Sequence, residues 1–419
     1  MVTVTEITVI DDYPAYDKGH NPYPTYSVHS EGHEHIIIVN TEMVVDVDVT
    51  AETNTVRMYP TAITSAAGFG YSCRTVYWSF TNPILSSRVV VGKDADEWGV
   101  WDISYNVSGG KASATWVADW TTTDAIGSGP FQGSQIYLEG GVYYLYYAAG
   151  NNGLYKMNLT DGSEIVYDYG WGALEPQSIS QKYGTKTAVD YVFFGRHNAG
   201  TVITTFDRTD MAIFENLASP GGGSPRAKIG GLYDDGTTKW YPITSGGVAT
   251  VQNHVNIYDE ALTLLGDIDD LTGYWGADNT YNVWGLSILG RIRSTDSVYP
   301  SYYLCVGMMQ TYYLFFLMDS TFNILLTSIK EIQETGSNAY MYNCHPEYGD
   351  WTNKPLVDKV EKKVWVICRY ESGGVYENNV YEVDFSEFDV ELWNSELYTA
   401  EEEDDFDYNV GIRPSVWGA

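Results

Sequence analysis

The sequence predicts an all-β chain, a β-propeller of six to seven four-stranded blades with an extended N-terminal arm, and three observations predict it. Helical periodicity is nearly absent. Short runs of Val, Ile, Tyr, Phe and Trp, bounded by Gly, Asn, Asp and Ser, recur along the whole chain, the pattern of strands separated by turns. Those runs also repeat: an apolar strand, a polar or Gly-containing turn, a second strand ending in a carboxylate or amide, then a third strand.

The copies align on the end of the second strand. They read VWDIS with Asp102, YKMNLTDGSEIV with Asn158, TTFDRTDMAIF with Asp207, NIYDEALTLL with Asp259, FLMDSTFNILL with Asp319 and YEVDFSEFDVEL with Asp384. Differences between successive positions are 56, 49, 52, 60 and 65 residues. The preceding strands correspond as RVVVG, YYLYYAAG, YVFFG, YLCVG and VWVIC, with a weaker match at WYPIT. Periods near 40–50 residues with several strands per unit belong to propellers, whose blades cover one another around an axis because one blade cannot bury both faces alone. The Asp or Asn fits a hairpin, since its side chain bonds the backbone two residues on.

The domain reading is therefore an arm over residues 1–35 and a propeller over residues 36–419, with blades centred near 102, 158, 207, 259, 319 and 384. A closing blade is expected from residues 36–49 and 408–416. The arm carries Pro14, Pro22 and Pro24, which remove backbone donors and favour extended chain. The strand-and-turn unit resembles propellers of the pyrroloquinoline-quinone-repeat and surface-layer types, where an apolar strand carrying Tyr and ending in Asp closes the third strand of each blade. The resemblance covers about residues 80–400 and implies fold only. The tryptophan-docking residues of the cofactor-binding enzymes are missing, and no catalytic signature comes with it.

Charge narrows the function classes. Of 419 residues 55 are acidic and 23 basic, a formal net charge of −32. A field of that sign repels nucleic-acid phosphates and anionic membrane surfaces, so neither partner is expected. It suits solubility in concentrated salt, where screening is short-ranged, and a halophilic source fits it. The N-terminus lacks the basic and apolar regions of an export signal. The uncharged run Tyr302–Met318 is broken by Gln310 and Thr311 and rich in aromatics, so two strands joined by a tight turn are expected rather than membrane insertion. Cys73, Cys305, Cys344 and Cys368 form no paired motif and are expected to be buried thiols.

Candidate sites are few. His29, His33 and His35, with Glu31 or Glu34 nearby, form a candidate zinc set, because an extended backbone points alternate side chains to one face. Against it stands an ordinary polar loop before a strand, and no further ligand completes a tetrahedral set. Asp267, Asp269, Asp270 and Asp278 form the most loop-like acidic cluster and a candidate calcium site, though without EF-hand spacing. Other acidic groups, Asp46 with Asp48, Asp94–Glu97 and Glu401–Asp405, read as solvated charge. Tyr13, Tyr16, Tyr23 and Tyr26 in the arm are candidates for contact with a partner or glycan, since aromatic faces are favoured at recognition sites.

No nucleophile elbow, phosphate-binding loop or zinc-protease helix occurs. The expectation is a non-enzymatic structural or adhesive module, a virion component such as a spike, turret, capsid- or tail-associated protein, assembled in the cytoplasm. Its partners would be copies of itself, other particle subunits or a cell-surface glycan. The alternative is a carbohydrate-active hydrolase or lyase with carboxylates at the channel mouth.

Overall fold

The computed structural model describes 32 strands between Thr3 and Leu392, with many of the tight turns that join them, and every structural statement below concerns these residues. No helix occurs among them. The strands form seven antiparallel sheets, numbered I to VII along the chain.

Sheet I comprises Thr25–Ser30, His33–Val39, Met43–Asp48 and Thr55–Pro60. Sheet II comprises Cys73–Thr81, Ile84–Asp94, Glu97–Asn106 and Lys111–Thr121. Sheet III comprises Ser134–Glu139, Val142–Ala149, Gly153–Asn158 and Glu164–Asp168. In sheet IV the first strand is split into Pro176–Ile179 and Gly184–Lys186, followed by Val189–Arg196, Val202–Asp207 and Ile213–Ala218. Sheet V repeats the split, with Arg226–Ile229 and Tyr233–Asp234, then Lys239–Gly246, Val255–Asp259 and Leu264–Ile268. Sheet VI comprises Val283–Ile292, Tyr303–Met309, Tyr312–Met318 and Ile324–Gln333. Sheet VII has Tyr340–Met341 and Leu356–Asp358 as its split first strand, then Lys363–Ser372 and Val375–Asp384.

Each sheet is a meander in which sequence neighbours pair. The fourth strand of sheet VII is the exception, because it comes from the other end of the chain: Thr3–Ile10 pairs antiparallel with Val375–Asp384. Val390–Leu392 pairs instead with the first strand of sheet VI.

Every sheet lies against the next, and sheet VII returns to sheet I through Leu356–Asp358 and Thr25–Ser30. At five of the seven junctions the first strands of the two sheets meet, which places them towards the axis and the fourth strands outermost. A closed ring of meander sheets is a β-propeller. Burial follows the radius. Residues 35–37 and 44–48 of sheet I are buried without alternation, because sheets packed on both sides need apolar residues on both faces. The outer strand Lys111–Thr121 has no buried residue.

Several expectations change. Within the expected arm over residues 1–35, Thr3–Ile10 and Thr25–Ser30 are ladder strands of sheets VII and I and so belong to the propeller. Three prolines obscured them, yet all three fall in residues 11–24, between the two strands. Residues 36–49 do not close the ring; they supply the middle strands of sheet I, and Thr3–Ile10 closes sheet VII. Residues 408–416 lie outside the described residues. The uncharged run folds as expected, into Tyr303–Met309 paired antiparallel with Tyr312–Met318. Cys305 is a buried free thiol, its pKa pushed up by burial; the side chains of Cys73, Cys344 and Cys368 lie outside the described residues.

Candidate functional site

Of the six predicted Asx positions, Asn158, Asp207, Asp259 and Asp384 end the third strand of their sheets and Asp319 directly follows it. Backbone N–H groups donate to the side chains: Thr160 to Asn158 at 2.8 Å, Thr209 to Asp207 at 2.7 Å, Thr263 to Asp259 at 2.7 Å, Thr321 to Asp319 at 2.8 Å and Ser386 to Asp384 at 2.7 Å. Asp102 is a correction. It lies inside Glu97–Asn106, and the turn of sheet II is capped by Asn106, which accepts from Gly109 N–H at 2.7 Å. With Asn106 the first interval becomes 158 − 106 = 52 residues. In sheet I the third strand ends at Asp48.

These turns latch neighbouring sheets. Met211, Leu262 and Phe322 adopt left-handed backbone, with φ of 63°, 61° and 68°. All three are buried. Met211 of sheet IV packs with Tyr137, Tyr146 and Leu154 of sheet III. Leu262 of sheet V packs with Tyr191 and Leu217 of sheet IV. Phe322 of sheet VI sits against Trp240 of sheet V, with ring centroids 5.4 Å apart. Left-handed backbone is unfavourable for such side chains, so the inter-sheet contact holds them there.

Polar side chains reinforce the same junctions. Between sheets III and IV, Glu139 receives Lys156 Nζ at 2.5 Å, Arg208 Nη2 at 2.9 Å and the Tyr146 hydroxyl at 2.5 Å. Lys156 also donates to the Arg208 carbonyl at 2.9 Å and lies 4.5 Å from the Tyr144 ring centroid, while Arg208 lies 5.1 Å from that of Tyr137. Burial alone would raise the Glu139 pKa, but Arg208, Lys156 and Tyr146 outweigh it and hold the carboxyl below its ordinary value. Such a carboxylate is a structural anion and a poor general acid. Between sheets IV and V, the Tyr191 hydroxyl donates to the Glu260 carbonyl at 2.6 Å.

Between sheets I and II, Asp46 bridges two buried partners: His35 Nδ1 lies 2.8 Å from Oδ1, and the Tyr105 hydroxyl donates to Oδ2 at 2.5 Å. Asp46 and Asp48 are therefore not solvated charge, with exposures of 1% and 6%. The short spacing Asp-x-Asp in a valine-rich strand was the available signal for that burial.

Among the described residues no group of three His, Cys, Asp or Glu side chains could hold a metal, and the candidate zinc set falls partly outside them. His35 is engaged by Asp46. His29 and His33 lie across the Thr25–Ser30/His33–Val39 hairpin, opposite Glu34 and Ser30 in register, and their side chains lie outside the described residues. Of the calcium candidates, Asp267 is exposed in the outer strand Leu264–Ile268, and Asp269, Asp270 and Asp278 lie outside the described residues. Tyr26 is a ladder residue of sheet I, its backbone opposite Ile37. Tyr13, Tyr16 and Tyr23 lie outside the described residues.

The candidate functional surface is the outer circumference, which sequence reasoning did not single out. Trp116 and Val117 of sheet II, Ile165 and Val166 of sheet III, Ile213 of sheet IV, and Leu264 and Leu265 of sheet V are exposed, from 36% to 58%. All seven lie on fourth strands. Single exposed apolar residues are unremarkable, but among the described residues they recur on the outer strands of four consecutive sheets, II to V.

The class of protein this architecture defines is the β-propeller. No protein-family model matches the chain, and no curated protein matches it. Solved structures similar to it include the WD40 domain of SCAP from fission yeast, at 9% identity and a TM-score of 0.41, covering 92% of this chain and 98% of that one. Raptor from Chaetomium thermophilum is similar at 9% identity and a TM-score of 0.47, covering 90% of this chain and 29% of that one.

Proposed function

We propose that this chain is a non-enzymatic structural or adhesive propeller, a component of a virion assembled in the cytoplasm, which meets its neighbours through the outer strands of sheets II to V. One observation carries the reading: seven large apolar side chains stand exposed on those strands, at an edge where unpaired backbone groups also invite pairing. The ionisable groups at the described junctions support it from the other side, since Asp46, Glu139, Lys156 and Arg208 are bonded across sheets and hold the ring together. Glycan contact through aromatic residues belongs to the same reading.

The test is to purify particles from the source, detect the chain in them by mass spectrometry and locate the ring by electron microscopy. Density for the propeller with sheets II to V against a neighbour is the expected result. Absence of the chain from particles, or turnover of a sugar polymer by the isolated chain, would overturn the proposal. A glycan array separates adhesion from scaffolding.

A further inference from the structure

The ring is closed by a strand that is remote in sequence. Residues 340–384 supply three positions of sheet VII, and Thr3–Ile10 supplies the fourth, in register from Thr3 opposite Asp384 to Ile10 opposite Asn378. The chain that leaves the third strand does not compete for that edge, because Val390–Leu392 pairs with sheet VI.

The backbone ladder joins the strand to sheet VII at seven positions. Of its described side chains, Val4 packs against the core while Thr5 and Glu6 are exposed, and Glu6 accepts one hydrogen bond from the Tyr381 hydroxyl at 3.1 Å. A ladder of this kind is indifferent to which molecule provides the strand.

The connection to sheet I has slack. It comprises residues 11–24, which is 14 residues, as many as 269–282 between sheets V and VI, whereas seven residues suffice for the same step from a fourth strand to the next first strand at 169–175 and at 219–225. Taken as a random coil, 14 residues have a root-mean-square span of ~21 Å and supply a tethered strand at an effective concentration on the order of 1 mM. Closure within one molecule therefore wins in dilute solution and loses its advantage once copies are packed at comparable density.

We propose that Thr3–Ile10 is an exchangeable strand, and that the edge of sheet VII accepts it from a second copy of this chain, so that propellers link through their N-termini. This is a strand swap, with identical pairing in the closed and linked forms. It does not depend on the outer-strand contacts or on residence in a particle.

The experiment mixes two single variants, Glu6→Cys in one copy and Tyr381→Cys in another, positions that face each other in register. After oxidation, mass mapping of the 6–381 disulfide reports exchange, and wild-type protein reports background from the native cysteines. The expected result is a linked dimer whose yield rises roughly in proportion to concentration until about 1 mM. The double variant in one chain, at low concentration, is expected to form the bond internally. Internal bonding with no bond between copies at ~1 mM would overturn the proposal, and so would failure of the internal bond.

A second variant deletes residues 12–22. The three remaining residues reach at most ~14 Å, less than the ~17 Å set by three strand spacings and one sheet-to-sheet step. It is expected to form oligomers at micromolar concentration, by light scattering. A deletion variant that stays monomeric at every concentration counts against exchange.

Discussion

Phe322 of sheet VI occupies the space that a side chain at Gly266 of sheet V would need: a Cβ on Gly266 would lie 2.5 Å from Phe322 Cδ2. The glycine and the left-handed phenylalanine form one joint. Gly266→Ala is expected to destabilise by about 1–3 kcal/mol through overpacking, and Phe322→Ala by about 3–5 kcal/mol through the cavity it leaves. The pair should couple, with Gly266→Ala costing less once Phe322 is alanine. A double-mutant cycle by chemical denaturation checks this, and additivity would show that the two residues do not share a space.

Asp46 is satisfied from two sheets at once, and Tyr105→Phe removes one donor while leaving the ring. The Oδ2 atom would then be buried without the partner it now has. A loss of about 1.5–3 kcal/mol is expected for a hydrogen bond to a charged group. Thermal unfolding measures it, and an unchanged midpoint would mean that the Tyr105 hydroxyl contributes nothing to the junction of sheets I and II.

Glu139 gives a pH signature with a definite sign. Its folded pKa is lowered from 4.5, so its contribution is present above that value and is lost as pH falls through the folded pKa. Glu139→Gln leaves Lys156 and Arg208 beside each other without their counter-charge, and a cost of up to about 3–5 kcal/mol is expected at neutral pH, less to the extent that solvent reaches the site. The difference between wild type and variant should shrink below pH 4.5. Urea midpoints measured from pH 7 down to about pH 3 test this, spanning the ordinary carboxylate range; a pH-independent difference would assign the effect to packing alone.

The outer strands should separate stability from assembly. Ile165→Lys and Leu264→Lys alter exposed side chains, and surface changes of this kind are expected to stay within about 0.5 kcal/mol of wild type. Incorporation into particles should fall, because a charge placed at an apolar contact is desolvated there. Normal incorporation of both variants, measured by mass spectrometry of purified particles, would move the contact surface elsewhere.

Much of this architecture is local and therefore legible without coordinates. Alternating and continuous β-branched or aromatic runs specify strands, and an Asp or Asn that bonds the backbone two residues on, or four on at Asp259, specifies a turn, so Asn158, Asp207, Asp259, Asp319 and Asp384 could be placed by spacing alone. Asp102 misled because an aspartate within a strand and one at its end look alike in a one-dimensional pattern; only the ladder, which pairs Asp102 with Arg88 and continues to Asn106 opposite Ile84, distinguishes them.

The remaining features arise between segments far apart in the chain. Thr3–Ile10 becomes a strand because an edge 375 to 377 residues away lacks a fourth member, as the register Thr5 opposite Glu382 and Glu6 opposite Tyr381 shows. His35 and Asp46 leave solvent because Tyr105 of the next sheet closes over them, and Met211, Leu262 and Phe322 accept unfavourable backbone because the preceding sheet offers a pocket. Short-range hydrogen bonding and side-chain periodicity settle where the strands and turns fall. Closing the ring is a cooperative matter of mutual burial, and that alone decides which polar groups become internal and which apolar ones are left facing outward.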